Sequence, residues 1–210
     1  MPLITPDQVR EHFAALVGRT ADDLVLALID RADGLMAGYC GWPPTVDGRL
    51  TMQASTYLRH PRRPLADNKR GLFLGVRPAV SITSIYVSAD EQYTAADLLA
   101  STEYELDTET GIVWLDTTAA AHSWIDAPGR HRGNRVRFVA GWHQGDVPPD
   151  VVALAASTVA HLFRRRNTAD GLTSASSGGQ SVATRTLVSM LPDEVRTGLS
   201  PWRILEAGQA

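Results

Sequence analysis

Apolar positions along the chain change their period twice, dividing it into a helical start, a β-rich middle and a helical end. Thr5, Pro6 and Gln8 form a helix start: a capping threonine, a proline at the first helical position and a glutamine three residues after the cap. Val9, Phe13 and Leu16 continue it as one stripe, which Gly18 ends. A second helix opens the same way at residues 20–23 and carries Leu24, Leu28, Ala32, Leu35 and Tyr39 on one face, before Gly41, Pro43 and Pro44 close it. From residue 47 the period shortens, and 49–58, 71–76, 79–88, 103–107 and 112–116 are the predicted strands. Residues 108–111, Thr-Glu-Thr-Gly, make a hairpin turn between the last two. A sixth strand, 136–140, breaks at Gly141, and Val147, Pro148, Pro149 and Asp150 lead into a helix that runs to Arg166. Val151, Ala155, Val159 and Leu162 form its apolar face, and a short helix over 192–199 comes last.

Three features do not fit a plain amphipathic reading. Gly34 and Gly38 sit mid-helix, where each costs ~1 kcal/mol relative to alanine. With Ala27 they make a smooth groove that another backbone can approach, either the chain's own or a second copy's. The helix from Pro149 carries Ala153, Ser157, Ala160 and Arg164 opposite its apolar face, small residues where a solvated helix would show charge. That predicts cover on both sides. Residues 168–184, with Gly178 and Gly179 among serines and threonines, read as a flexible loop, and residues from Ser200 onward as a tail.

Composition narrows the function classes. A length of 210 residues suits one or two domains, and 20 basic against 23 acidic residues argue against a protein whose main task is gripping phosphates. A single cysteine, Cys40, excludes an internal disulfide and a cysteine-rich zinc site. The first residues lack a signal-peptide layout and no apolar run approaches the ~20 residues of a membrane span, so a soluble cytoplasmic protein without a membrane partner is expected. His12, His60, His122, His131, His143 and His161 never fall at helical ligand spacing. No nucleophile elbow, phosphate loop or dinucleotide fingerprint occurs. The prediction is therefore no catalytic residue, no metal and no cofactor. Arg164, Arg165 and Arg166 either complement a helix C-terminus or contact an acidic partner or DNA. Arg62-Arg63, Lys69-Arg70 and the cluster over 130–137 leave the same alternatives open.

Five segments in fixed order carry a resemblance. They are Tyr39-Cys40-Gly41-Trp42 after the helix pair, Arg77-Pro78 leading to Ser81-Ile82, the strand from Val136 to Ala140-Gly141-Trp142, the Val147-Pro148-Pro149-Asp150 helix start, and Leu199-Ser200-Pro201-Trp202-Arg203. Together they make the chain similar to the head-tail connector, or adaptor, family of long-tailed bacteriophages and phage-derived gene transfer agents. Arg165-Arg166-Asn167 departs from the Glu-Asn-Arg of that pattern, so no role is carried over to it. The resemblance implies a structural, non-enzymatic subunit of a homo-oligomeric ring, a dodecamer, in the neck of a virion. Such a ring lies between the capsid portal protein and a stopper or tail protein, passes duplex DNA and is assembled in the host cytoplasm.

The implied fold is α+β: a small helical bundle with an inserted antiparallel β-sheet and an extended C-terminal tail. Residues 1–46 and 134–168 would form the helical core, 47–133 the β-rich insertion, 169–190 the flexible loop and 191–210 the portal-docking tail. Leu191, Pro192, Val195, Leu199, Pro201, Trp202 and Arg203 would contact the portal, with Trp202 foremost. Too little apolar area is visible in this tail to order it alone, so its deletion is expected to leave thermal stability nearly unchanged; the alternative is that Trp202 folds back on its own domain. Gly34, Gly38, Ala153, Ser157, Ala160 and Arg164 would line subunit contacts. A head-tail stopper or tail-terminator component is the alternative within this class. A small-molecule-binding or hydrolytic domain would need a pocket with convergent polar groups, and a nucleic-acid-binding regulator would need a basic recognition helix.

Overall fold

Helix α1 (Pro6–His12) begins as the local sequence dictates. Gln8 N–H donates to Thr5 Oγ1 at 3.1 Å and Thr5 N–H donates to Gln8 Oε1 at 2.8 Å, which satisfies two amide groups that a helix start leaves open. The helix ends earlier than its apolar stripe suggests. Phe13 leaves the helical conformation at φ −140° and turns its ring edge-on to Phe163 at 6.4 Å. The computed structural model describes residues 2–13, 22–61, 71–116, 124, 133–165 and 191–204, so the remainder of that stripe lies outside the described residues.

The chain forms two units. One comprises Met1–Trp42, Leu50–Gln53 and Trp142–Ala210 and is helical. Helices α2 (Asp22–Cys40) and α3 (Pro149–Arg165) pack side by side, with α1 and the short α4 (Asp193–Leu199) against α3. Val25, Leu28, Ile29, Ala32, Leu35 and Met36 of α2 are buried, as are Val151, Ala155, Val159 and Leu162 of α3. Each fully buried leucine or isoleucine contributes roughly 1.5–3 kcal/mol. The α3 stripe lies where the 3.6-residue period put it; on α2, Leu28, Ala32 and Leu35 are buried as expected, whereas Leu24 and Tyr39 at its ends are half-buried.

The other unit comprises Pro43–Arg49 and Ala54–Gly141 and is built from β-strands. Strands β1 (Ser55–Arg59), β6 (Asn134–Ala140) and β3 (Ala79–Val87) pair antiparallel in the order β1-β6-β3. A second antiparallel sheet has the order β2-β5-β4, from β2 (Gly71–Phe73), β5 (Ile112–Leu115) and β4 (Tyr104–Asp107). The insertion thus contains two sheets where one was expected. Along β6, Asn134, Val136, Phe138 and Ala140 are buried while Arg137 is exposed, the alternation of a strand with one face on a core. Tyr57 and Phe138 stand directly opposite in register and stack at 5.7 Å.

Two boundaries differ from the sequence reading, for identifiable reasons. Residues 134–140, expected with the helical core, pair on both sides within the sheet, so the boundary falls after Gly141. Residues 50–53, expected to open a strand, belong to the helical unit, and β1 starts only at Ser55. The predicted hairpin turn is present. Gly111 adopts φ +69° there, and a Cβ at that position would meet Val76 O at 2.3 Å, so both conformation and space require glycine.

Candidate assembly surfaces

The C-terminal segment lies on the helical unit. Leu191, just before α4, and Val195 and Leu199 within it are buried, and a Cβ at Gly198 would meet Leu154 Cδ2 of α3 at 2.7 Å. Beyond α4, a 3-10 turn (Ser200–Trp202) sets the indole of Trp202 edge-on to Trp142 at 5.1 Å, and Trp142 stacks on Trp42 at 5.6 Å. Ile204 N–H donates to Cys40 O at 2.8 Å, and the Arg203 guanidinium lies 5.4 Å from the centre of the Tyr39 ring. The expectation that this segment cannot order alone underestimated the apolar surface available to it. That surface comes from the end of α2, from α3 and from Trp142, all distant in sequence. Pro192 and Trp202 are half-buried, whereas Pro201 and Arg203 are exposed and face outward. Residues 205–210 lie outside the described residues.

Cys40 sits beneath this segment, its Sγ 4.0 Å from Leu199 O. Burial pushes its thiol up to about 12, against a smaller opposing influence from Arg203, so no nucleophilic thiolate is available at neutral pH.

The expected interface residues divide between two helices. Gly34 is half-buried and Gly38 exposed on α2; their nearest non-local neighbours are Leu50 O, 3.5 Å from a Cβ built on Gly34, and Leu50 Cδ1, 3.6 Å from one on Gly38. On α3, Ala153 is half-buried, Ser157 and Arg164 are exposed and Ala160 is buried. The Arg164 guanidinium lies 4.8 Å from the centre of the Phe13 ring. Ala160 is therefore a residue of the chain's own core, and the other three form an outward face.

Sequence reasoning missed the polar centre of the helical unit. Asp33 of α2 is buried and accepts three hydrogen bonds: from Thr51 Oγ1 at 2.5 Å, Met52 N–H at 2.7 Å and Gln53 Nε2 at 2.9 Å. Burial raises its pKa above the usual carboxylate range, although the three donors oppose the shift and the charge of Asp30 adds to it. The available signal was an acidic residue on the apolar side of α2, between Ala32 and Leu35. In the β unit, the Arg135 guanidinium lies in the corner formed by Tyr86 and Tyr93, 4.3 and 4.0 Å from the ring centres, the two rings meeting edge-on at 6.2 Å, and Tyr93 Oη lies 3.3 Å from His60 Nδ1. Tyr93 itself has φ 53°.

Among the described residues no group of three histidine, cysteine or acidic side chains could hold a metal ion, and no helix is long and apolar enough to cross a membrane. His161 is held below the usual histidine range first by burial and then by Arg165 and Arg164, with Glu194 opposing. His122, His131, Arg62, Arg63, Lys69, Arg70, Arg130, Arg132, Arg166 and the 169–190 loop lie outside the described residues.

No protein-family model matches the sequence, and no curated protein matches it. Solved structures do. A chain in the neck of an empty gene transfer agent (GTA) particle, computed with C6 symmetry, superposes with a TM-score of 0.55 at 14% identity, over 96% of this chain and 91% of that one. A chain in the virion of a native GTA particle gives a TM-score of 0.53 at 15% identity, over 100% of this chain and 92% of that one. At such identity the likeness is one of fold, and it extends through the helical and the β parts alike. The fold of this chain is thus one also found in chains of gene transfer agent particles.

Proposed function

We propose that this chain is a structural head-tail connector subunit, which forms a twelvefold ring between the capsid portal and the tail in the neck of a phage or GTA-like particle. The observation that carries the reading is the fold shared over 96% of the chain with a protein of a GTA neck, joined to the five segments in matching order. The ring encloses the path of duplex DNA without gripping it, consistent with a net charge of −3. Its role is mechanical, and it uses no catalytic group, metal or cofactor. Assembly takes place in the host cytoplasm.

Docking on the portal falls to the C-terminal segment. Leu191, Val195 and Leu199 seat α4 on the helical unit, while Pro192, Pro201, Trp202 and Arg203 meet the portal. The opposite rim receives a stopper or tail protein. Purified chain mixed with portal-bearing capsids and imaged in negative stain should show a ring beneath the portal. A ring that appears only on isolated tails would favour the tail-terminator reading, and absence of any ring would overturn the connector role.

A further inference from the structure

Gly34 and Gly38 carry a cost that the chain's own packing does not explain. Neither has a positive φ, and an added Cβ would make only ordinary contacts, at 3.5 and 3.6 Å, with Leu50. Alanine therefore fits both positions in the single subunit and is the better helix former. Two further observations concern the same helix faces. Leu50, which lies against Gly34 and Gly38, is 42% exposed, and Leu26 on the flank of α2 is 38% exposed. The charges are also complementary: α2 begins with exposed Asp23, beside an Asp22 that pairs with Arg10, and α3 ends with exposed Arg164, whose guanidinium lies against the Phe13 ring.

The spacings coincide. Asp23 precedes Gly34 by eleven residues, and Arg164 follows Ala153 by eleven, which is three helical turns or ~16 Å in each case. Resting on the ring reading above, we infer that α2 of one subunit lies antiparallel against α3 of the next copy, with Gly34 opposite Ala153 and Asp23 opposite Arg164. The contact is heterologous, as a closed ring requires. Gly34 and Gly38 on α2, flanked by the exposed Asp30 and Arg31, and Ala153 and Ser157 on α3 allow the two backbones to approach closely at that end, and the antiparallel arrangement sets the acidic helix start against the basic helix end. Ser157, one turn beyond Ala153, keeps this face free of bulk.

The test compares the full-length wild type with Gly34→Ala/Gly38→Ala, Asp23→Arg, Arg164→Asp and the double charge exchange, on portal-bearing capsids and as free subunits. The glycine variant should melt higher as a free subunit, by about 2–4 °C per substitution, and its ring occupancy should fall at least about tenfold. Each charge reversal should weaken the ring, and their combination should restore it. Mixed Gly34→Cys and Ala153→Cys subunits should cross-link between copies in assembled rings, which neither variant does alone.

Normal rings from the glycine variant would overturn the inference, as would a free subunit that melts lower, because the glycines would then serve the chain's own packing. Intact rings with portal or tail binding lost would assign the face to another protein and overturn it too. Failure of the wild type to form rings would sink the connector reading itself.

Discussion

Replacing Asp33 tests the account of the helical unit. In Asp33→Ala, Thr51 Oγ1 and Met52 N–H lose their acceptor where both residues are buried, whereas the Gln53 amide is half-buried and can turn to water. A buried donor left without an acceptor costs about 1–3 kcal/mol. Relief from holding a carboxylate away from water offsets part of this, as the raised pKa of Asp33 indicates. The expected net loss is roughly 2–4 kcal/mol, or about 5–15 °C in Tm. Asp33→Asn should lose less, because its oxygen still accepts from Met52 while its amide nitrogen opposes the Gln53 donor.

The pH dependence separates charge from shape. The folded-state pKa of Asp33 lies above its unfolded value, so its stabilising contribution is complete below the ordinary carboxylate pKa and is lost as pH rises through the elevated one. Wild type should therefore exceed Asp33→Asn most at acid pH, and the gap should narrow as pH rises. Urea denaturation of the three proteins across that range, read as midpoint shifts at constant slope, measures both effects. An Asp33→Ala loss under ~0.5 kcal/mol, the range of an ordinary surface substitution, or a gap that widens with pH, would refute the reasoning.

Three further outcomes are expected. Gly111→Ala combines a left-handed φ with a contact at 2.3 Å and should cost roughly 3 kcal/mol, visible as a lower denaturation midpoint. Deleting residues 191–210 removes three buried anchors, Leu191, Val195 and Leu199, and should lower Tm by roughly 10–20 °C; an unchanged Tm would show that the segment is dispensable to the helical unit. Thr5→Ala removes one bond of the capping box and should cost ~1 kcal/mol in the same denaturation assay.

Features fixed by neighbours in sequence were legible, and those fixed by distant partners were not. The Thr5 cap, the stripes of α2 and α3 and the Gly111 turn each depend on residues within a few positions, so their patterns predict them. The start of β1 was misjudged because Thr51, Met52 and Gln53 are held by a carboxylate eighteen or more positions away, which no local period reveals. The order of the C-terminal segment was underestimated for the same reason, since its binding surface comes from Cys40, Trp142 and Leu154. The contact of Arg135 with the faces of Tyr86 and Tyr93 joins β6 to the end of β3 and the turn after it, a relation set by strand register. The glycine and small-residue faces were visible in sequence, but the fit of an alanine at Gly34 and Gly38 needed coordinates.

The position of Cys40 gives the protein a built-in gauge of its own opening. It is the only sulfhydryl in the chain, and it lies under Leu199 and Ile204 with its proton firmly retained. A maleimide or disulfide reagent can reach it only while the C-terminal segment is lifted, so the labelling rate equals the intrinsic thiol rate multiplied by the open fraction. Each tenfold slowing relative to unfolded chain then corresponds to ~1.4 kcal/mol of closure. Without any engineered label, the same sulfur can be followed in the free subunit and in the particle, and the two rates show whether docking holds this flap down or peels it away.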